Sequence, residues 1–297
     1  VIQQRNLYYV AESYDDVKQS MMFMDGEKPD FYAFLRKFNI LNQIRWDEEL
    51  IDASIKQVCE DIIAERIDFV WIRFTINKYL THIDWHRKDM IWFVKKCFDK
   101  HAPDRVGLIL AIKYESEHAN QRQLLDLIND PLVAESVIGV DLVGDEGCYN
   151  SKFYGPFFRK WAMAGKLLFA HVGESQSQEN IRTAITDLGV TEICHGIGIT
   201  DPDIIDCAKD YGVCFHLALT SNLLTGVVDK IENHPINEML LNGLDITIGT
   251  DDPVQCNTCL LDEYDLLYKC LRLRWSDKQT HEMIGVIAKT ASDRIYS

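Results

Sequence analysis

Seven short runs of apolar and β-branched residues recur along the chain, at 67–76, 106–112, 137–143, 167–171, 192–196, 213–219 and 245–250. Each has the length of a strand and is bounded by turn or polar residues. Between them, apolar positions recur at helical spacing over 47–65, 84–100, 116–130, 155–165, 177–189, 201–211 and 223–242, and a last helix runs from Ser276. The clearest is 47–65, where Leu50, Ile51, Ile55, Val58 and Ile62 form one face. Asp47, Glu48 and Glu49 load its first turn with the acids that the helix dipole favours. Alternation repeated this often predicts a parallel sheet, and runs apolar on both faces predict that helices cover it.

Charged groups stand at the carboxyl ends of at least three runs, which points to the mouth of a (β/α)8 barrel, with an open doubly wound sheet as the alternative. Seven strands are one short of closure, and the place with room for another is ahead of Val1. Residues 1–46 hold no comparable strand. They read as a helical connection, with a turn at Asp25-Gly-Glu-Lys-Pro29 and an amphipathic piece carrying Phe31, Phe34, Leu35 and Phe38. Residues 1–297 are expected to form a single barrel domain whose first strand precedes Val1, within a longer protein.

Composition narrows the function classes. Hydrophobic residues make up 47% and charged residues 26%, as in soluble globular chains, and no apolar run approaches a membrane span. A formal charge of −15 argues against a nucleic-acid surface, which needs clustered Lys and Arg. A small ligand fits better, and oligomerisation is left open. Nine cysteines without a framework pattern imply reduced thiols and a cytoplasmic location. Cys256-x-x-Cys259 has no second pair at zinc-finger spacing, so a metal or redox role for it is the lesser reading.

The candidate chemistry lies where the runs stop. Thr247-Ile-Gly-Thr-Asp-Asp-Pro253 ends in two adjacent carboxylates, Leu167-Leu-Phe-Ala-His-Val-Gly-Glu174 ends in His171 and Glu174, and Glu192-Ile-Cys-His-Gly-Ile-Gly198 delivers His195. Taken singly these are weak: a lone strand histidine is more often structural, and Asp251-Asp252-Pro253 could equally cap a helix. Together, imidazoles and carboxylates at three strand ends suit a mononuclear zinc site. Zinc lowers the pKa of bound water, and a nearby carboxylic acid can act as proton donor.

His171-Val-Gly-Glu174, His195-Gly196, Thr220-Ser-Asn222 and Thr250-Asp-Asp-Pro253 resemble the H-A-G-E, H-G, T/S-S-N and S/T-D-D-P motifs of the adenosine deaminase family of metal-dependent amidohydrolases. Val140-Asp-Leu-Val-Gly-Asp-Glu146 resembles its D-L-A-G-x-E segment. The order of motifs matches over nearly the whole chain. The resemblance implies His171 and Asp251 as ligands of one zinc ion, Glu174 as proton donor to purine N1, and His195 as the group that orients and deprotonates the attacking water. It further implies that Asp252 binds purine N7 and that the Gly144 amide meets N3. The product would be the 6-oxo base and ammonia.

There are departures. The family's H-x-H on the first strand, which supplies two more zinc ligands, is absent, and His82 and His86 have the wrong spacing, so both ligands are expected before Val1. Valine replaces alanine in H-A-G-E, Ala218-Leu219 stands where Cys-Pro is common, and Lys113 stands where arginine is common. Deamination of adenosine or deoxyadenosine is the leading expectation. One alternative is a deaminase of AMP or ATP within a larger defence or signalling protein, with Lys113, Lys152 and Arg182 as phosphate-facing cations. A second is a non-catalytic binding module. His216 and His234 read as structural or solvated. Trp85, Trp92 and Phe93 read as a helix packing face, and Asp262, Glu263 and Asp265 as a solvated one.

Overall fold

The computed structural model describes residues 13–296 apart from Asp25 and Gln176. All seven expected strands form, as β1 Val70–Phe74, β2 Val106–Lys113, β3 Gly139–Val143, β4 Leu167–Val172, β5 Glu192–His195, β6 Cys214–Leu217 and β7 Asp245–Ile248. They make one sheet in chain order, every neighbouring pair parallel. Residues 1–12 of the expected helical lead-in, Asp25 of the expected turn and any strand ahead of Val1 lie outside the described residues.

Helices precede and link the strands. α1 Tyr14–Met21, α2 Phe31–Arg36 and α3 Glu48–Ala64 come before β1, and α4 Asn77–Leu80 and α5 Arg87–His101 follow it. Next come α6 His118–Leu125 and α7 Pro131–Ser136 after β2, α8 Ser151–Met163 after β3, α9 Gln178–Thr186 after β4 and α10 Pro202–Asp210 after β5. α11 Leu219–Leu224 and α12 Ile236–Leu241 follow β6, and α13 Pro253–Cys256, α14 Leu260–Arg272 and α15 Asp277–Tyr296 follow β7.

Strand alternation sorts the side chains into two environments. On β2, Leu108, Leu110 and Ile112 join the cluster shared with the helices, whereas Ile109 turns inward to Phe169 and Cys194. On β4, Leu168, Ala170 and Val172 face the helices, and Phe169 faces the interior. The inward side chains also show the curl of the sheet. The Trp71 ring on β1 lies 5.3 Å from that of Phe169 on β4 and 5.8 Å from the ring of His216 on β6. In a flat sheet β1 and β6 would stand about 24 Å apart, at ~4.8 Å per strand. The sheet is therefore rolled as in a (β/α)8 barrel, and the carboxyl ends of its strands converge.

α3 forms as expected. Asp47 caps it, accepting the Leu50 N–H at 2.7 Å, and Leu50, Ile51, Ile55 and Ile62 are buried. Val58 is not on the packed face but exposed, and Cys59 is buried in its place. At the far end of the barrel, Arg294 of α15 donates to Glu192 at 3.0 Å and lies 3.5 Å from Asp245, the first residues of β5 and β7.

Three further expectations need correction. The helix expected over 223–242 is broken into α11, a single turn at Ile231–Asn233 and α12, because Gly226 takes a left-handed turn and Pro235 can donate no backbone hydrogen bond. The acidic cluster is not wholly solvated: Glu263 on α14 is completely buried, accepting from the Thr220 N–H at 3.2 Å and the Thr258 hydroxyl at 3.0 Å. Of the three aromatics, Trp85 and Phe93 meet edge to face at 5.2 Å against the core, but Trp92 points to solvent. In the Cys-x-x-Cys segment, Cys256 is buried and Cys259 precedes α14, its N–H donating to Asp262 at 3.1 Å.

Candidate active site

β4 ends by placing His171 toward the barrel mouth. Its Nδ1 lies 3.1 Å from Asp141 Oδ1 and 3.2 Å from the Leu142 carbonyl oxygen, both acceptors, so Nδ1 carries the proton and Nε2 is left for a cation. Asp141 is fully buried and also takes the guanidinium of Arg73 on β1. Burial raises the Asp141 carboxyl, but the imidazole and guanidinium outweigh it and hold it below the usual carboxylate range. For His171, burial works against the charge, and Asp141 overcomes it to push the imidazole upward.

Arg73 also reaches Cys194, at 2.8 Å. Its guanidinium thus serves as the cation of the buried group formed by Asp141, His171 and Cys194. Sequence reading missed this arginine, although a charge within Val70-Trp-Ile-Arg-Phe74 was the available signal.

The loop after β4 is built around Glu146. Its buried carboxylate accepts the Gly173 N–H at 2.8 Å, the Ser175 N–H at 2.8 Å, the Ser175 hydroxyl at 2.7 Å and the Asn180 amide at 2.9 Å. Four bonds to residues on both sides of Glu174 set that side chain's direction. Gly173 has φ +77°, and a Cβ there would lie 2.6 Å from Ile181 Cδ1, so only glycine fits. Glu174 is buried, which raises its carboxyl above the usual value; Asp251 adds to the rise, and His195 and His171 oppose it.

His195 and Asp251, at the ends of β5 and β7, both adopt left-handed backbone conformations, φ +64° and +54°. Such conformations are strained for non-glycine residues and cluster at functional sites. His195 Nε2 lies 3.9 Å from Glu174 Oε1 and 4.0 Å from Asp251 Oδ2. These gaps are too long for direct hydrogen bonds, and each is wide enough for one atom bridging His195 to a carboxylate. Asp251 is oriented by the Ser221 hydroxyl at 2.7 Å. Donor atoms of His171, His195 and Asp251 lie within 4.8 Å of one another. This imidazole and carboxylate set fits a zinc ion.

The remaining expected residues are also at the mouth. Gly144 follows β3 with φ +95°, and a Cβ on it would overlap the Glu115 carboxylate. Asp252 precedes α13 with Pro253 at the first helical position, as the capping alternative required, yet its side chain makes no capping bond. His216 lies deeper, bonded to Glu192 at 2.8 Å and to Thr247 at 2.6 Å, in keeping with a structural role. His234 is buried beside Asn222 at 3.2 Å, within reach of the site rather than solvated.

A family model described as Adenosine deaminase matches residues 2–292. The chain belongs to the adenosine deaminase family. An adenosine deaminase from Clostridium kluyveri is 29% identical over 90% of this chain and 77% of its own length. Among solved structures, an adenine deaminase from Arthrobacter aurescens superposes with a TM-score of 0.79 at 19% identity, covering 100% of this chain and 93% of that one. An N6-methyl-AMP deaminase from Arabidopsis thaliana does so with a TM-score of 0.75 at 18% identity, covering 94% and 81%. These likenesses establish the barrel architecture. Family membership makes this adenosine deaminase relative an enzyme of the metal-dependent aminohydrolase type, which goes against the non-catalytic module. No helix among its described residues is long and apolar enough to cross a membrane.

Proposed function

We propose that the chain, as one barrel unit, hydrolyses the 6-amino group of an adenine nucleoside, adenosine or deoxyadenosine, to the 6-oxo base and ammonia, with one zinc ion held by His171 and Asp251. The observation that supports this reading is the placement of His195 Nε2 3.9 Å from Glu174 and 4.0 Å from Asp251, each gap the width of one bridging atom, in the group that His195 and Asp251 form with His171. Zinc, when bound, supplies a water of lowered pKa there.

The chain's own groups do the rest. Glu174, whose carboxyl burial pushes upward, donates to purine N1 and draws electrons from C6. His195 Nε2 contacts the water oxygen. Asp252 and the Gly144 amide orient the base at N7 and N3. The shielded setting of Glu174 and His195 strengthens each of these contacts.

A nucleoside is favoured over a nucleotide by charge. Lys113 lies 3.6 Å from Glu115, and Arg182 lies 3.7 Å from Glu179 and 3.8 Å from Asp201. Two of the three cations considered for a phosphate are thus already paired with carboxylates. Nine unpaired thiols fit a reducing, cytoplasmic setting. Ammonia release from adenosine, deoxyadenosine, AMP and ATP tests the reading, alongside metal analysis. Preference for adenosine and loss of activity on chelation are expected. No ammonia from any adenine compound would overturn it.

A further inference from the structure

Behind His195 runs a hydrogen-bond chain with a direction. It starts at a group that can only donate, the backbone N–H of Ile236, which bonds His234 Nδ1 at 3.2 Å. His234 Nδ1 must therefore be an acceptor. His234 is 4% exposed, and burial, aided by His195, pushes its imidazole down to about 4, so it is neutral near pH 7 with its proton on Nε2.

That N–H faces Asn222 Oδ1 at 3.2 Å. This fixes the orientation of the Asn222 amide: its oxygen must face His234, so its NH2 faces His195. Asn222 is completely buried, and its Nδ2 lies 3.0 Å from His195 Nδ1. Nδ1 of His195 is therefore an acceptor as well, and the ring's proton resides on Nε2, the atom turned to Glu174 and Asp251.

We infer that Asn222 and His234 are positioning residues that lock His195 in the Nε2–H tautomer, so that His195 acts on the reacting atoms as a hydrogen-bond donor and not as the base. A basic Nε2 would require a proton on Nδ1 both before and after it accepted another. In either state Nδ1–H would confront the Asn222 NH2, two buried donors without an acceptor, each stripped of water and left unsatisfied. The donor tautomer instead holds the oxygen of the attacking water and then the oxygen bound to C6. The proton released by the water passes to the carboxylate of Asp251, whose Oδ2 lies 4.0 Å from Nε2. This departs from the deprotonating role that family resemblance implies for His195.

Asn222→Asp is the deciding variant, because a carboxylate of the same shape accepts from both imidazoles and turns His195 to the Nδ1–H form. Protein with ring-15N histidine is examined by long-range 1H–15N correlation, with His195 assigned through His195→Asn. The wild type is expected to give the Nε2–H pattern for His195, and Asn222→Asp the Nδ1–H pattern with kcat down about 100-fold or more and KM little changed. Wild-type His195 protonated on Nδ1 would overturn the inference even if the variant fails to fold. So would Asn222→Asp turnover at or above the wild-type rate. The kinetic arm rests on the deaminase reading and the spectrum does not. Absent turnover with an Nε2–H spectrum therefore sinks that reading and the catalytic role, while the tautomer stands.

Discussion

Asp141 joins Arg73 to His171 beneath the barrel mouth, with Oδ1 3.1 Å from the imidazole Nδ1 and Oδ2 on the guanidinium. One buried carboxylate thus turns the free Nε2 of His171 toward the site and neutralises an arginine brought in from β1. The two roles depend on the same negative charge.

Asp141→Asn tests both. An amide keeps the shape but leaves the part-buried Arg73 guanidinium without its carboxylate, and the variant is expected to lose about 2 kcal/mol of stability. Zinc affinity should fall about 10–100-fold as the His171 ring loses its anchor. Urea unfolding and zinc titration against a competing chelator measure the two effects. Wild-type zinc affinity in this variant would remove Asp141 from the support of the site.

Glu174→Gln keeps the bonds of the surrounding loop, since Glu146 holds Gly173 and Ser175 through their backbone N–H groups. Its expected effect is confined to the proton: kcat falls by about 10²–10⁴ while thermal unfolding is unchanged or slightly raised. Ammonia release and calorimetry on the same preparation check this. Full activity would dismiss Glu174 as the donor.

His234 makes stability depend on pH. Its imidazole is lowered from 6.5 to about 4, chiefly by burial. Above the unfolded value both states are neutral, and the group contributes no slope. As pH falls below about 6.5 the unfolded chain takes up a proton that the folded chain does not, so stability declines until about pH 4, by about 3 kcal/mol in all. His234→Gln should flatten this part of the profile relative to wild type. Denaturant midpoints across that pH window provide the measurement, and parallel profiles would show that His234 titrates alike in both states.

Glu115 bears on the choice between nucleoside and nucleotide. Its carboxylate overhangs Gly144, accepts the Asp145 N–H at 3.3 Å and lies 3.6 Å from the Lys113 ammonium. Glu115→Gln removes a negative charge at the mouth and frees that cation. The ratio of kcat/KM for AMP to that for adenosine is expected to rise about tenfold, on the order of 1.4 kcal/mol of charge interaction at intermediate dielectric. An unchanged ratio would mean that phosphate never approaches this side chain.

The strands were legible because residues of a parallel sheet are buried on both faces, which leaves uninterrupted runs such as Val106–Lys113. His171, Glu174, His195 and Asp251 were legible because each stands at or just past the carboxyl end of such a run. The helix breaks around Gly226 and Pro235 were marked in the sequence but outweighed by the apolar spacing of their neighbours. Glu263 was misread for a different reason: its acceptors are satisfied by Thr220 and Thr258, and neither partner follows from helical periodicity.

By itself the sequence determined the order of strands and helices, the parallel sheet and the identity of the titratable groups at the carboxyl ends, since all of these depend on periodicities within a few residues. Only the tertiary structure decided which donor meets which acceptor. Arg73 meets Cys194 across 121 residues, and His195 meets Asn222 across 27, because the curl and register of the sheet bring those side chains to one place. The protonation pattern of the site follows from these long-range pairings, where each fixed donor or acceptor settles the state of the next group in line.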